Sequence, residues 1–404
     1  MTPMLERLKS LIGERAVECT LAGLPRAVPA STDAVAAVLA TAHEEGWRVR
    51  VEGSGSWLTG DVPCDLVLST RGLDRVTAMS AEDLVGTAEA GVELQSLRRR
   101  LAERRLWLAV DPPGGPERTI GSVVVTGTSG PLRAGLGPVR DHLLGCTIVT
   151  GDGRVVRPGG KVVKNVAGYD LTKLMAGGFG AFGVVTDLHL RLRAMPERDA
   201  TCLARGPRDA LTYAARELLD NGLDVQAIEL LSPALAGERE WVLAVRAVGS
   251  QDGIASELGR LDVSPDVRWT ELNREKASVL WQLTERAFAG QHTCIRLGVL
   301  PDGLDETLDL VLGTLGDGLV SASMSAGGLR WSGETTADAL RELRRALAAR
   351  EIPMTVERAA WPLLERIGHF GAYREGVATV VSRLRSAFDP RGRLQVALDG
   401  RDDA

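Results

Sequence analysis

The stretch GGFGAFG, residues 177–183, holds the spacing G-x-G-x-x-G in a setting that decides against its usual meaning. A dinucleotide loop of the doubly wound type runs strand, glycine loop, helix. Here the short helical pattern DLTKLMA (170–176) precedes the glycines, and the strand pattern GVVTDLHLRLRAMP (183–196) follows them. The order is reversed, so no helix is available to receive a pyrophosphate. A second loop, GSGSWLTG (53–60), does follow a strand pattern, but it reads G-x-G-x-x-x-x-G and no helix pattern comes after it. The sequence also has no Gly-Lys-Ser/Thr for a P-loop. NAD or ATP held in the usual way is excluded on this context.

Just upstream, KNVAGYDLTKLMAGG (164–178) gathers an unusual share of lysine. Lys161, Lys164 and Lys173 lie within thirteen residues, and Lys9 and Lys276 are the only others. The segment reads as a loop, then a short helix capped at Asp170, then a glycine turn into a core strand. Its lysines read as solvated, Lys161 above all.

A chain of 404 residues with 44% hydrophobic and 25% charged residues suits two globular domains. Its net charge of −5 offers no basic face for nucleic acid, and the runs at 98–100 and 104–105 read as one solvated helix face. The five cysteines are scattered with no C-x-x-C pair, so this chain alone is expected to build no zinc or iron–sulfur cage. Free thiols, the absence of a signal-type N-terminus and the lack of an 18-residue apolar run lead to a cytoplasmic expectation. Any membrane contact would come through partners.

Along the chain, residues 29–46 read as a helix capped at Ser31 or Thr32 and ended by Gly46. Strands are expected at 47–53, 65–70 and 84–91, a helix at 92–106, and a hairpin at 143–158 turning on GDG. Beyond about 197 the glycine loops thin out. Helices are expected at 208–221, 272–288, 303–315 and 335–350, with strands at 241–248 and 293–300. A last helix stops at Asp389-Pro390. The expected division is 1–196, split near 105, then 197–370, then a return of 371–404 to the first part.

Four glycine loops stand out: 53–60, 112–122, 126–137 and 177–186. Glycine lets successive backbone N–H groups crowd toward an anion, and serine and threonine add hydroxyl donors. One such loop is an ordinary turn. Four within about 130 residues suggest a large phosphorylated cofactor.

Taken in order, the strand followed by GSGS, then TIGS, then the whole of 129–193 resembles the FAD-binding domain of the PCMH-type vanillyl-alcohol oxidase family. The match is specific over 119–193, moderate over 47–91, extends to the FDP tail at 388–390, and is absent over 200–370. The resemblance implies an α+β fold: a two-subdomain FAD-binding domain of PCMH type plus an α+β cap domain with an antiparallel sheet. It implies that Gly53, Ser54, Gly55 and Ser56 cradle the FAD pyrophosphate. Thr119, Ile120, Gly121, Ser122, Ser129 and Gly130 would line the flavin and ribityl chain, and Val184 and Val185 would meet the cofactor through their main chain. Tight turns, a helix entry and a core strand are the plain alternatives for the same residues.

Two departures stand out. Where relatives often read GS-x-GTLG, this chain has Phe179, Ala181 and Phe182, and the usual NPG after FDP is replaced by LQVALDG (394–400). The pyrophosphate loop has no His or Cys, so FAD is expected to be noncovalent, with Cys64 and His142 the nearest alternatives for a bond.

Hydroxy-acid oxidation needs a base and a cation for the carboxylate. Among five histidines, His292 with Arg296 four residues on could share a strand face, a solvated or core-edge pair being the plain reading. Catalytic relatives carry a metal-binding cluster like H-x-G-D-G-N-x-H, and this sequence has none. The resemblance therefore implies the FAD-binding subunit of a glycolate-oxidase-like complex. Its partners would be a second flavin subunit and an iron–sulfur subunit passing electrons toward quinone, and its substrate a small 2-hydroxy acid such as glycolate or lactate. A stand-alone FAD-dependent alcohol or hydroxy-acid oxidoreductase, and a structural subunit that has lost its cofactor, are the alternatives.

Overall fold

The computed structural model describes residues 3–57, 62–160, 170–261, 267–290, 292–371, 373, 376–396 and 398. Lys161, Lys164 and the stretch 164–169 therefore lie outside the described residues. Lys173 is half exposed beside Asp170 at 3.6 Å.

Near the N-terminus, a small sheet pairs Val49–Glu52 and Pro25–Ala27 in parallel with Leu66–Ser69, and Val17–Cys19 closes its edge antiparallel. The helix Thr32–Glu45 starts where the sequence places it: Ser31 accepts a hydrogen bond from the Ala34 amide, and Gly46 ends the helix at φ 79°. Its buried Val35, Val38, Leu39 and Ala42 follow helical spacing and join a core with Leu66 and Leu68. Each such valine or leucine side chain contributes roughly 1.5–3 kcal/mol.

A five-stranded antiparallel sheet follows, in the order Val76–Ser80, Val85–Glu89, Val184–Arg191, Leu143–Val149, Val155–Val156. The GDG turn closes its last pair, with Gly153 at φ 86°. Asp170 caps Leu171–Met175 by accepting from the Lys173 amide at 3.2 Å. Gly183 has to be glycine, because at φ +127° an added Cβ would lie 2.6 Å from the Val149 carbonyl.

The largest sheet has eight strands, all antiparallel, ordered Thr270–Glu271, Arg198–Gly206, Trp241–Gly249, Ala227–Leu231, Leu319–Ser323, Gly328–Gly333, Thr293–Gly298, Met354–Arg358. Strand side chains alternate between faces. Ile228, Leu230, Ile295, Leu297, Val320, Ala322, Leu329 and Trp331 all join one core. The helices Arg208–Asp220, Leu304–Leu315 and Ala337–Ala348 pack into that core through leucines such as Leu218, Leu308 and Leu343. The residues between them, Glu229, Arg296, Ser321, Ser323 and Arg330, thereby face the other way. That polar face meets the glycine-rich part of the chain, where Arg330 Nη2 donates to the Ser129 carbonyl at 3.1 Å.

The mixed α+β class with antiparallel sheets is as expected, and the strands Arg198–Gly206, Ala227–Leu231, Leu319–Ser323, Gly328–Gly333 and Met354–Arg358 are additions. After the final helix Val377–Phe388, Asp389 turns the chain by accepting from the amides of Arg393 at 2.9 Å and Leu394 at 2.8 Å. The tail then lies along Val49, whose amide donates to Arg393 O at 2.8 Å and whose carbonyl accepts from Gln395 N at 2.9 Å. Among the described residues, no helix is long and apolar enough to cross a membrane.

Candidate functional site

A cleft of about 960 Å³, open mouth included, lies between the two small sheets. One wall is the loop that leaves Val49–Glu52. Gly53 sits so close to the next segment that a Cβ would fall 2.2 Å from Thr119 Oγ1, and Gly55 takes φ 76°. Ser69 Oγ donates to the Gly53 carbonyl at 3.0 Å, and the Ser54 and Ser56 hydroxyls share a bond of 2.9 Å. The loop is thus pinned from behind, with its backbone bordering the cleft.

The facing wall is the short helix Ile120–Thr126, which contributes Gly121, Ser122, Val125 and Thr126. Thr119 caps it by accepting from Ser122 N at 3.3 Å, and Gly121 N donates to Ala90 O at 2.9 Å. A Cβ on Gly121 would stand 2.7 Å from Ala90 Cβ. Gly180, Gly183, Val184 and Val185 form a third side. Both valine side chains are buried, Val184 in the core of the N-terminal sheet and Val185 in that of the five-stranded sheet, so main chain is what this pair presents. Leu394, Gln395 and Val396 complete the lining, which places the first three residues of LQVALDG at the cleft despite its departure from NPG.

Among the sequence-predicted residues, Gly53 to Ser56, Gly121, Ser122, Val184 and Val185 converge here. Thr119 and Ile120 are buried behind the wall as cap and anchor, with Ile120 N donating to Val92 O at 2.9 Å. Ser129 and Gly130 border a separate chamber under the eight-stranded sheet. Cys64 and His142 are buried, and neither borders the cleft. Burial raises the Cys64 thiol pKa and lowers that of the His142 ring.

Two residues at the cleft's end carried no signal in the sequence. Arg118 is fully buried, donating to Pro113 O, to Thr126 Oγ1 at 2.6 Å and to Ser122 Oγ at 3.4 Å, and its guanidinium lies 4.1 Å over the Trp57 ring. Burial lowers its pKa to about 9, and among the described residues no carboxylate reaches it within 4 Å. Trp57 borders the cleft, and its buried indole N–H has no acceptor among the described residues.

Phe179 and Phe182 acquire a purpose in the structure. Phe179 adopts φ 51°, lines the cleft, stacks on His369 at 3.9 Å and meets Phe370 edge-on at 5.5 Å. Phe182 contacts Phe388 at 6.0 Å. The aromatic departures thus clamp the returning C-terminal segment onto the cleft.

The pair His292 and Arg296 separates. His292 is exposed ahead of the strand, and its backbone carbonyl accepts from Arg358 at 2.8 Å. Arg296 turns under the sheet and donates to Glu357 Oε1 at 2.9 Å, while Arg330 donates to Glu357 Oε2 at 2.8 Å. Glu357 is fully buried; burial pushes its carboxyl up, but the two guanidiniums outweigh this and hold it at about 2.

Comparisons with known proteins agree with this geometry. Residues 26–159 match the model of the FAD binding domain family. The chain is 43% identical over 115 residues to glycolate oxidase subunit GlcE of Escherichia coli, covering 28% of this chain and 33% of that protein. It is 31% identical over 212 residues to the mitochondrial D-lactate dehydrogenase [cytochrome] of Arabidopsis thaliana, covering 50% of this chain and 36% of that one. The chain thus spans about a third of the length of each of these curated relatives. In fold it is similar to p-cresol methylhydroxylase, with TM-score 0.79 at 12% identity over 99% of this chain and 96% of that structure. The cleft fits FAD: glycines open both walls at backbone level, and Trp57 offers an indole donor with no acceptor among the described residues. Residues 26–159 of the chain are thus similar to an FAD binding domain, set in a fold similar to that of p-cresol methylhydroxylase.

Proposed function

We propose that this chain is the FAD-carrying subunit of a glycolate-oxidase-like complex that converts a small 2-hydroxy acid to its 2-oxo acid. The observation that carries the reading is the backbone-walled cleft, in a chain with substantial identity to a named glycolate oxidase subunit. Gly53 to Ser56 would hold the pyrophosphate by backbone amides and hydroxyls, and Gly121 and Ser122, steadied by Thr119 and Ile120, would flank the cofactor. Ser129 and Gly130 would stand at its flavin end, and Val184 and Val185 would offer main-chain contacts. Bound FAD supplies an acceptor for two electrons. Arg118, a buried cation beside Ser122 and Thr126, would favour negative charge at that end of the cleft.

Noncovalent attachment is supported by the placement of Cys64 and His142 away from the cleft lining. The FAD-binding part would be 1–196, the cap 197–370, and 371–404 the segment that closes the cleft. Hydride abstraction would fall to a second flavin subunit, with electrons passing to an iron–sulfur subunit. The identity to glycolate oxidase subunit GlcE, and the missing H-x-G-D-G-N-x-H motif, support that division. Co-expression with a second flavin subunit and an iron–sulfur subunit tests it. Co-purification and anaerobic bleaching of the complex by glycolate support the reading; a chain that purifies alone under all these conditions contradicts it.

A further inference from the structure

Of the arginine runs at 98–100 and 104–105, Arg98 turns inward and binds Glu285 at 3.1 Å. Arg99, Arg100, Arg104 and Arg105 are exposed, as are Arg191 and Arg193 farther along the chain. None of these six side chains makes an ion pair or hydrogen bond among the described residues. Elsewhere arginines such as Arg75, Arg205 and Arg246 each hold a carboxylate. In a chain of net charge −5, the six form a local excess of positive charge.

The fold brings the two groups together. Leu190 and Leu192 turn into the core, so Arg191 and Arg193 turn out. Arg193–Ala194 pairs antiparallel with Leu106–Trp107, with Arg193 opposite Trp107, and Met195 N donates to Arg105 O at 2.8 Å. Leu192 N donates to Leu84 O at 2.7 Å, which sets the turn ahead of Val85–Glu89 alongside. Together with Val248 and Gly249 of the eight-stranded sheet, these segments border a groove of about 1030 Å³, open mouth included. Its lining is apolar at Leu84, Trp107, Leu136, Ala194 and Val248, and cationic at Arg191 and Arg193. Asp83 is the lining's one carboxylate among the described residues, and it accepts from Ser80 Oγ at 2.8 Å. Leu84 takes φ 53°, a region unfavourable for leucine, and it is left 36% exposed there; Met195 is 40% exposed.

We propose that this groove docks a segment of a partner protein that carries carboxylates among apolar side chains. Its carboxylates would take Arg191 and Arg193, and its apolar side chains would cover Leu84 and Trp107. Arg99, Arg100, Arg104 and Arg105 would add the positive field that steers it in. An inorganic anion would engage the guanidiniums and leave the apolar lining wet. A flat anionic membrane surface would meet the arginines without entering a concave groove. The identity of the partner as a subunit of the complex rests on the proposed function; the chemistry of its segment rests on the groove alone.

The first test is fluorescence anisotropy of the FAD-loaded chain with a labelled peptide of alternating glutamate and leucine. Controls replace leucine by serine or glutamate by lysine. Wild type is expected to bind the glutamate–leucine peptide more tightly than either control, and more weakly as salt rises. The double variant Arg191→Glu/Arg193→Glu is expected to lose at least tenfold, with flavin content unchanged. Arg239→Glu/Arg345→Glu, the same charge change at other exposed positions, is expected to bind as wild type does. Binding no tighter than the controls, a groove variant equal to wild type, or equal loss in the remote variant would each overturn the proposal. So would binding to phosphatidylglycerol vesicles in place of the peptide. In the co-expressed complex, the groove variant is expected to retain at least tenfold less of the partner subunits, and full retention would overturn the docking. A wild-type chain that captures no partner sinks the subunit reading instead, and the peptide result still decides the groove.

Discussion

Replacing Glu357 by Gln removes one negative charge from a place where two positive charges depend on it. The carboxylate is wholly buried and accepts from Arg296 Nε at 2.9 Å, Arg330 Nε at 2.8 Å and Arg330 Nη2 at 3.3 Å. Its carboxyl is held at about 2 against an ordinary 4.5. A gap of that size corresponds to about 3 kcal/mol at neutral pH. Breaking a buried ion pair from one side costs about 3–5 kcal/mol, and the two routes agree in order of magnitude. Because the folded-state value is depressed, the contribution is complete above the ordinary 4.5 and is lost as pH falls toward about 2. Urea unfolding of both proteins across that range is the assay. Glu357→Gln should be less stable by about 3 kcal/mol at neutral pH, with the deficit closing as acid protonates the wild-type carboxyl. The titration of Asp111, to which Glu357 is not coupled, occurs in both proteins and cancels in the difference. A deficit under about 1 kcal/mol at neutral pH, or one that does not change with pH, would refute the reasoning.

Gly130→Ala would drive a Cβ to within 1.8 Å of the Asp111 carbonyl, so urea unfolding should show a loss of about 1–3 kcal/mol or more. Phe179→Ala empties the ring stack on His369 while keeping the left-handed backbone, and should cost about 3–5 kcal/mol in the same assay and weaken FAD retention on a desalting column. Burial lowers the His369 ring to about 4, so NMR should show it titrating there, and the stability that its neutral form preserves should fall as pH drops from 6.5 toward about 4. Of the five free cysteines only Cys19 is exposed, so a thiol reagent should label one residue quickly in the native protein and the rest on unfolding.

What the sequence disclosed was local. The caps at Ser31 and Asp170, the GDG turn and the reversed order around GGFGAFG depend on residues within a few positions of one another, and the structure reproduces each. The glycine loops were legible as a group because each needs its own backbone geometry. The chamber was not legible, because Glu229, Ser321, Arg330 and Arg296 come from four strands joined by long-range pairing. Beyond the expected strand at 293–300, the alternation in VSAS, LRW and VER was the available signal, yet such short runs with every second residue polar read as loop or surface. Ser129 and Gly130 were grouped with the cofactor loops by spacing, and only the fold shows the chamber beside them. Phe179 looked like a loss of polarity; its partners His369 and Phe370 lie about 190 residues away.

The most direct test of the account is titration of FAD into the purified, flavin-free chain, followed by absorbance. The account predicts one FAD per chain, bands near about 370 and 450 nm, and release of the flavin on acid denaturation. It also predicts that Gly53→Val, whose Cβ would fall 2.2 Å from Thr119 Oγ1 and whose methyls would intrude on the cleft, abolishes uptake. A chain that takes up no FAD, or a Gly53→Val variant that binds it as wild type does, would contradict the account.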